Sequence, residues 1–181
     1  MKILGLFRHA KSEWDDLAKR DFDRGLNDRG LRGAQLMGNH IRSHGIQWDR
    51  VIASPAVRVK ETLQDALPNI TPTYEDKLYL ASADTIVEAA QAHCEMPDGS
   101  GEADAILMSG HNPGLQEVVL ELVSPSHEND LFKEACVKFP TATFAVLECN
   151  VESWADMRNH CAKLVHFARP RDLDPGLGPE F

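Results

Sequence analysis

Five apolar residues in an unbroken run, Ile3-Leu4-Gly5-Leu6-Phe7, end on Arg8-His9, and a junction of the same kind recurs twice along the chain. An apolar run of this length reads as a strand buried on both faces, which calls for helices above and below a largely parallel sheet. Polar residues just past such a strand fall where open α/β sheets place their ligands. The second junction is Arg50-Val51-Ile52-Ala53 running into Ser54-Pro55-Ala56-Val57-Arg58. Ser54 suits a helix cap and Pro55 the first helical position, and Ala56, Val59, Leu63 and Leu67 follow at helical spacing. The third is Asp104-Ala105-Ile106-Leu107-Met108-Ser109-Gly110, then His111-Asn112-Pro113-Gly114. There Asn112-Pro113 opens a helix whose apolar stripe is Leu115, Val118, Val119 and Leu122. Three junctions thus deliver Arg8, His9, Arg58 and His111 to one sheet edge.

These residue types share a chemistry. A guanidinium is a rigid fork that fits phosphate oxygens, and a neutral imidazole is a nucleophile or a proton carrier. The helix start after Asn112 adds free N–H groups and a positive dipole end. Anion binding beside a nucleophile is the shared implication.

The rest of the chain supplies the frame. Strands are expected near 2–8, 50–54, 72–76, 104–109, 142–149 and 162–168. Asn27 reads as the cap of a helix running to Gly45, with Leu31, Ala34, Met37 and Ile41 facing the core. A further helix near 84–95 follows Ser82 and turns Ile86, Val87, Ala90 and Cys94 inward. Alternating strands and helices predict an α/β three-layer sandwich with a mostly parallel central sheet and one antiparallel edge strand. A chain of 181 residues suits one core, so residues 1–169 are expected to form a single catalytic domain. Residues 170–181 read as a tail, draped or disordered, and Arg169-Pro170-Arg171 either closes over the site or ends the fold.

Charge and motif content narrow the function. Asp and Glu number 28 against 19 Lys and Arg, a net charge of −9 that argues against a nucleic-acid surface or an anionic membrane face. An acidic body with a local cationic pocket fits a phosphorylated protein or a small phosphorylated molecule. Cys94, Cys136, Cys149 and Cys161 lack metal-ligand spacing and are expected to be reduced. No dinucleotide fingerprint or phosphate-loop lysine is present, so no metal or other cofactor is expected. The apolar run before Arg8 is too short for a signal-peptide core, which predicts a cytoplasmic location. Oligomeric state is not written in these patterns.

The segment Arg8-His9-Ala10-Lys11-Ser12-Glu13-Trp14-Asp15 resembles the Arg-His-Gly-x-Ser-x-Trp-Asn signature of the histidine phosphatase, or phosphoglycerate-mutase-like, superfamily. Gly25-Leu26-Asn27-Asp28-Arg29-Gly30, Ser54-Pro55-Ala56-Val57-Arg58 with Thr62, and Gly110-His111-Asn112 resemble its later motifs. Spacing and chain length are most similar to SixA-type phosphohistidine phosphatases. The resemblance covers residues 1–150 and implies His9 as nucleophile, with Arg8, Arg58 and His111 forming the phosphate pocket. Binding of the transferring group by His111 calls for the imidazole as a cation. Ser12 and Asn112 join them as substrate-binding candidates. Lys11 reads equally as a phosphate contact or a rim charge, and Trp14 as loop packing or pocket floor. Arg20 and Arg24 lie in a charged segment, 16–24, that is either a solvated loop or the rim.

Three departures matter. Ala10 replaces a Gly, and Asp15 stands where mutases carry a phosphate-contacting Asn. Leu80 stands where mutases and sugar phosphatases carry the acid that protonates the leaving group, leaving Glu75 and Asp76 as the nearest candidate acids. Three functions fit these residues: a phosphohistidine phosphatase acting on a protein, a small-metabolite phosphomonoesterase, and a non-catalytic phosphate-binding module. The intact His9 and His111 weigh against the last.

Overall fold

The computed structural model describes residues 1–178. Strands β1 (Lys2–Arg8), β2 (Arg50–Ala53), β3 (Thr73–Tyr74), β4 (Ala105–Gly110), β5 (Phe144–Cys149) and β6 (Ala162–Ala168) form one sheet in the order β3-β2-β4-β1-β5-β6. The first four strands run parallel, β5 is antiparallel to β1, and β6 is antiparallel to β5. The antiparallel strand therefore lies one position in from the edge, and β6 outside it restores the common direction.

Side chains alternate between two cores, as the pleat requires. Phe7, Val51, Leu107 and Phe144 point to one face, where α1 (Asp28–His44) and α2 (Val57–Ala66) supply Met37, Ile41, Val59 and Leu63. Leu4, Leu6, Ile52 and Ile106 point to the other, against α3 (Ala83–Ala92), α4 (Gly114–Leu122) and α5 (Asp130–Val137). The layers are helix, sheet and helix, the expected α/β sandwich.

Helix α1 begins and ends as read. The Asn27 side chain accepts from Gly30 N–H at 2.7 Å, and Gly45 closes the helix at φ 89°. Leu31 is half-buried rather than in the core. A Cβ on Gly30 would sit 2.1 Å from the Lys11 carbonyl oxygen, so only Gly lets α1 lie directly beneath the loop that follows β1.

Helix α2 starts later than expected. It begins at Val57 with Ala56 as its flanking residue, and no side chain caps it. Of the helix-start N–H groups the Ser54 hydroxyl accepts only that of Ala56, at 3.3 Å, and it lies 2.8 Å from His111 Nε2, so a tertiary contact outweighs the local capping preference. Helix α3 ends before Cys94, which is nevertheless buried. The tail is folded through residue 178: α6 (Pro170–Leu173) packs on α1, and a helical turn follows at Pro175–Leu177. Residues 179–181 of the expected tail lie outside the described residues. Among the described residues, no helix is long and apolar enough to cross a membrane.

Candidate active site

The carboxyl ends of β1, β4 and β2 are level, with Arg8 opposite Gly110 and Ala53 opposite Ser109. That register brings the three junctions together around a cavity of about 510 Å³. Arg8, His9, Lys11, Ser12, Arg58, His111 and Asn112 all line it. The rings of His9 and His111 stand 5.3 Å apart between centroids. Glu75 and Asp76 do not line the cavity. Glu75 instead pairs with His93 at 3.4 Å and accepts from Lys77 N–H, so it is committed to holding the chain at the start of a short helical turn.

His9 is buried, and its Nδ1 lies 2.7 Å from the Ala10 carbonyl. A carbonyl only accepts, so Nδ1 carries the proton and Nε2 keeps its lone pair. Burial, with smaller contributions from Arg8, Arg58 and His111, holds the His9 pKa down to about 3 against the opposing effect of the Ala10 carbonyl. The imidazole is therefore neutral at pH 7, as a nucleophile must be. Thr62 fixes this loop to α2: its hydroxyl accepts from Ala10 N–H at 2.9 Å and donates to the Arg58 carbonyl at 2.6 Å.

The two guanidinium groups are held from behind. Arg8 donates from Nη1 to the Phe139 carbonyl at 2.9 Å, and its buried Nε–H has no acceptor among the described residues. Burial and the nearby Arg58 lower its pKa to about 10, still far above neutrality. Arg58 donates from Nη1 to the Asp21 carbonyl at 2.8 Å and from Nη2 to the Asp21 carboxylate at 3.1 Å. The Tyr79 hydroxyl donates to that same carboxylate, and Tyr79 hydrogen bonding leads the causes that lower the Asp21 pKa. Asp21 is thus an ionised anchor for Arg58. Sequence reasoning passed over both Asp21 and Tyr79; the only signal for Asp21 was its place in the charged segment 16–24.

His111 lies between Arg58 and Ser54. Its Nε2 is 2.8 Å from the Ser54 hydroxyl and its Nδ1 is 3.3 Å from Arg58 Nη2. An arginine only donates, so Nδ1 accepts and the ring is neutral; burial and then Arg58 lower its pKa to about 4. An oxyanion between Arg58 and His111 would meet the Nδ1 lone pair unless that nitrogen took up a proton. Such binding raises the His111 pKa, so affinity should rise as pH falls toward the free value near 4. Sulfate, a dianion across this range, is expected to gain up to about tenfold in affinity per pH unit between pH 8 and 5.5. Calorimetry in two buffers of different ionisation heat reads the proton uptake directly. A pH-independent affinity would show that His111 stays neutral with the anion bound.

The rim explains other residues. Trp14 is exposed, and Arg24 stacks on its ring at 4.2 Å, so Trp14 forms a wall rather than a floor. Asp15 is exposed and outside the cavity, which removes its repulsion from a bound phosphate. Asn112 donates to the Phe139 carbonyl at 2.9 Å, sharing that acceptor with Arg8. Leu80 lines the cavity at φ 52°, a left-handed conformation unusual for a side-chain-bearing residue. Pro170, Arg171, Leu177 and Gly178 close one side, so the tail builds part of the site.

Comparisons with known proteins agree with this geometry. The profile of the histidine phosphatase superfamily (branch 1) matches residues 4–79. An uncharacterized protein of Mycobacterium leprae is 34% identical over 170 residues, covering 91% of this chain and 99% of that protein. A SixA-type structure from Nakamurella multipartitia superposes with a TM-score of 0.80 at 30% identity, covering 93% of this chain and 96% of the other. One from Agrobacterium tumefaciens gives 0.70 at 26% identity, covering 93% and 98%. With its motifs gathered on one sheet edge and relatives matching along nearly their whole length, the chain belongs to the histidine phosphatase superfamily.

Proposed function

We propose that the chain is a metal-independent phosphohistidine phosphatase that acts on a phosphorylated protein through a phosphohistidine intermediate at His9. One observation carries this reading: among the described residues lining the cavity there is a nucleophile and a cationic clamp, but no Asp or Glu. The SixA-type neighbours bear a phosphohistidine phosphatase name, which supports the same substrate class. No specific observation favours an alkyl-ester metabolite, because Glu75 is engaged with His93 and neither it nor Asp76 reaches the cavity.

The chemistry balances without an enzyme acid. His9 Nε2 attacks phosphorus in line, forming one N–P bond while the substrate's N–P bond breaks. A substrate imidazole with its other nitrogen protonated departs neutral. On the enzyme, the Ala10 carbonyl keeps Nδ1 protonated. His9 is then itself a neutral leaving group when water attacks the phosphoenzyme, and the water's proton leaves with orthophosphate. Arg8, Arg58 and a protonated His111 stabilise charge on the equatorial oxygens.

Arg8→Ala and Arg58→Ala should each lower kcat/KM by about 10²–10³-fold, the scale for removing one preorganised stabiliser. Lys at either position should restore little, since a point charge does not replace the fork. Asp21→Asn should cost between about tenfold and 10²-fold by loosening Arg58, while leaving the guanidinium present. Steady-state kinetics on a phosphohistidine peptide read all five variants. The proposal itself is tested by orthophosphate release from that peptide in excess EDTA. Release is expected; no release, or release that returns only with a divalent metal, would contradict it.

A further inference from the structure

The cavity's opening is far more cationic than one phosphoryl group requires. Arg8 and Arg58 already serve that group, yet Lys11, Arg29, Lys138, Arg169 and Arg171 also line the cavity. No carboxylate lines it among the described residues, in a chain whose net charge is −9. Part of this charge is structural: Arg169 pairs with Asp172 at 2.9 Å and lies 3.8 Å from Glu134. Lys11, Lys138 and Arg171 have no carboxylate at salt-bridge distance among the described residues. They come from three segments of the chain that meet at the cavity: the loop after β1, the residue after α5, and α6. Trp14 and Leu80, both exposed and apolar, complete the same rim.

We infer that this rim recognises acidic side chains flanking the phosphorylated histidine of a partner protein, and that Lys138 and Arg171 set that preference. The inference rests on the phosphohistidine phosphatase reading and adds the partner's surface chemistry to it. A cationic rim with exposed aromatic and aliphatic members matches a protein surface of acidic and apolar residues. Like-signed charge lining a cleft also attracts an oppositely charged partner and speeds its encounter. The rest of the chain, being acidic, repels that partner and leaves the opening as the favoured place to land.

The test compares three substrates at low salt: small phosphoramidate, a phosphohistidine peptide flanked by Asp and Glu, and the same peptide flanked by Ser and Asn. The acidic peptide should exceed the neutral one in kcat/KM by about five- to tenfold, the scale of two or three exposed charge pairs. In 0.5 M NaCl that preference should shrink toward unity as screening shortens the range of the field. A Lys138→Glu/Arg171→Glu variant should erase or invert it. Equal kcat/KM for the two peptides, or a preference that survives both salt and the double variant, overturns the inference. If phosphoramidate is hydrolysed in that case, the phosphatase reading stands. Hydrolysis of none of the three overturns that reading as well.

Discussion

His9→Ala is expected to reduce turnover of a phosphohistidine peptide by about 10⁵–10⁶-fold, the scale on which loss of a covalent nucleophile is felt. No other imidazole can take over. His111 offers its Nδ1 to Arg58 and its Nε2 to Ser54, so neither nitrogen is free to attack. The fold should barely notice at neutral pH, with Tm moving by no more than about 5 °C. In acid the variant should gain on the wild type. The folded His9 pKa is near 3 against an ordinary value of 6.5, so below pH 6.5 the unfolded chain binds a proton that the folded site refuses. That penalty grows as pH falls from 6.5 toward 3 and is absent in His9→Ala. Thermal unfolding at pH 7.5 and pH 5, beside kinetics at pH 7.5, checks both parts. Activity loss accompanied by a collapse of Tm at pH 7.5 would make His9 a structural residue instead.

Phosphoserine and phosphothreonine peptides should turn over about 10²–10⁴-fold more slowly than a matched phosphohistidine peptide, the contribution of a positioned general acid. An alkoxide is a strong base and leaves slowly unless it is protonated as the bond breaks. Leu80 occupies the stretch where such an acid is expected, and no carboxylate faces the cavity among the described residues. An imidazole that brings its own proton does not need one. Aryl phosphates, with better leaving groups, should fall nearer phosphohistidine, and mutase activity should be undetectable. Equal kcat/KM for matched phosphoserine and phosphohistidine peptides, with a large loss in Asp76→Asn or Glu75→Gln, would show that an acid reaches the site after all. The function would then pass to ester hydrolysis.

What could be read from the sequence is local in the chain. The run Ile3–Phe7, the Asn27 cap and the Gly45 stop each act within a few residues, and the structure has β1 and α1 there. Arg8 ends a strand, His9 and His111 follow directly on strand ends and Arg58 lies in the first turn of a helix, so local patterns send them to one edge. What escaped depends on segments far apart. Asp21 meets Arg58 across 37 positions, and Phe139 meets Arg8 across 131. Ser54 reads as a helix cap because the local pattern favours one; its partner in the structure, His111, lies 57 positions away. The left-handed backbone at Leu80 and the contribution of Lys138 to the rim likewise have no local signature.

The most direct measurement is to trap the enzyme during turnover of a phosphohistidine donor and locate the phosphoryl group by peptide mass spectrometry. A single phosphoryl on His9, stable in base and lost in acid as a phosphoramidate is, forming and decaying at rates compatible with kcat, is the predicted result. Phosphate on a serine or on another histidine, or full turnover with no phosphoenzyme at any time, would contradict the account.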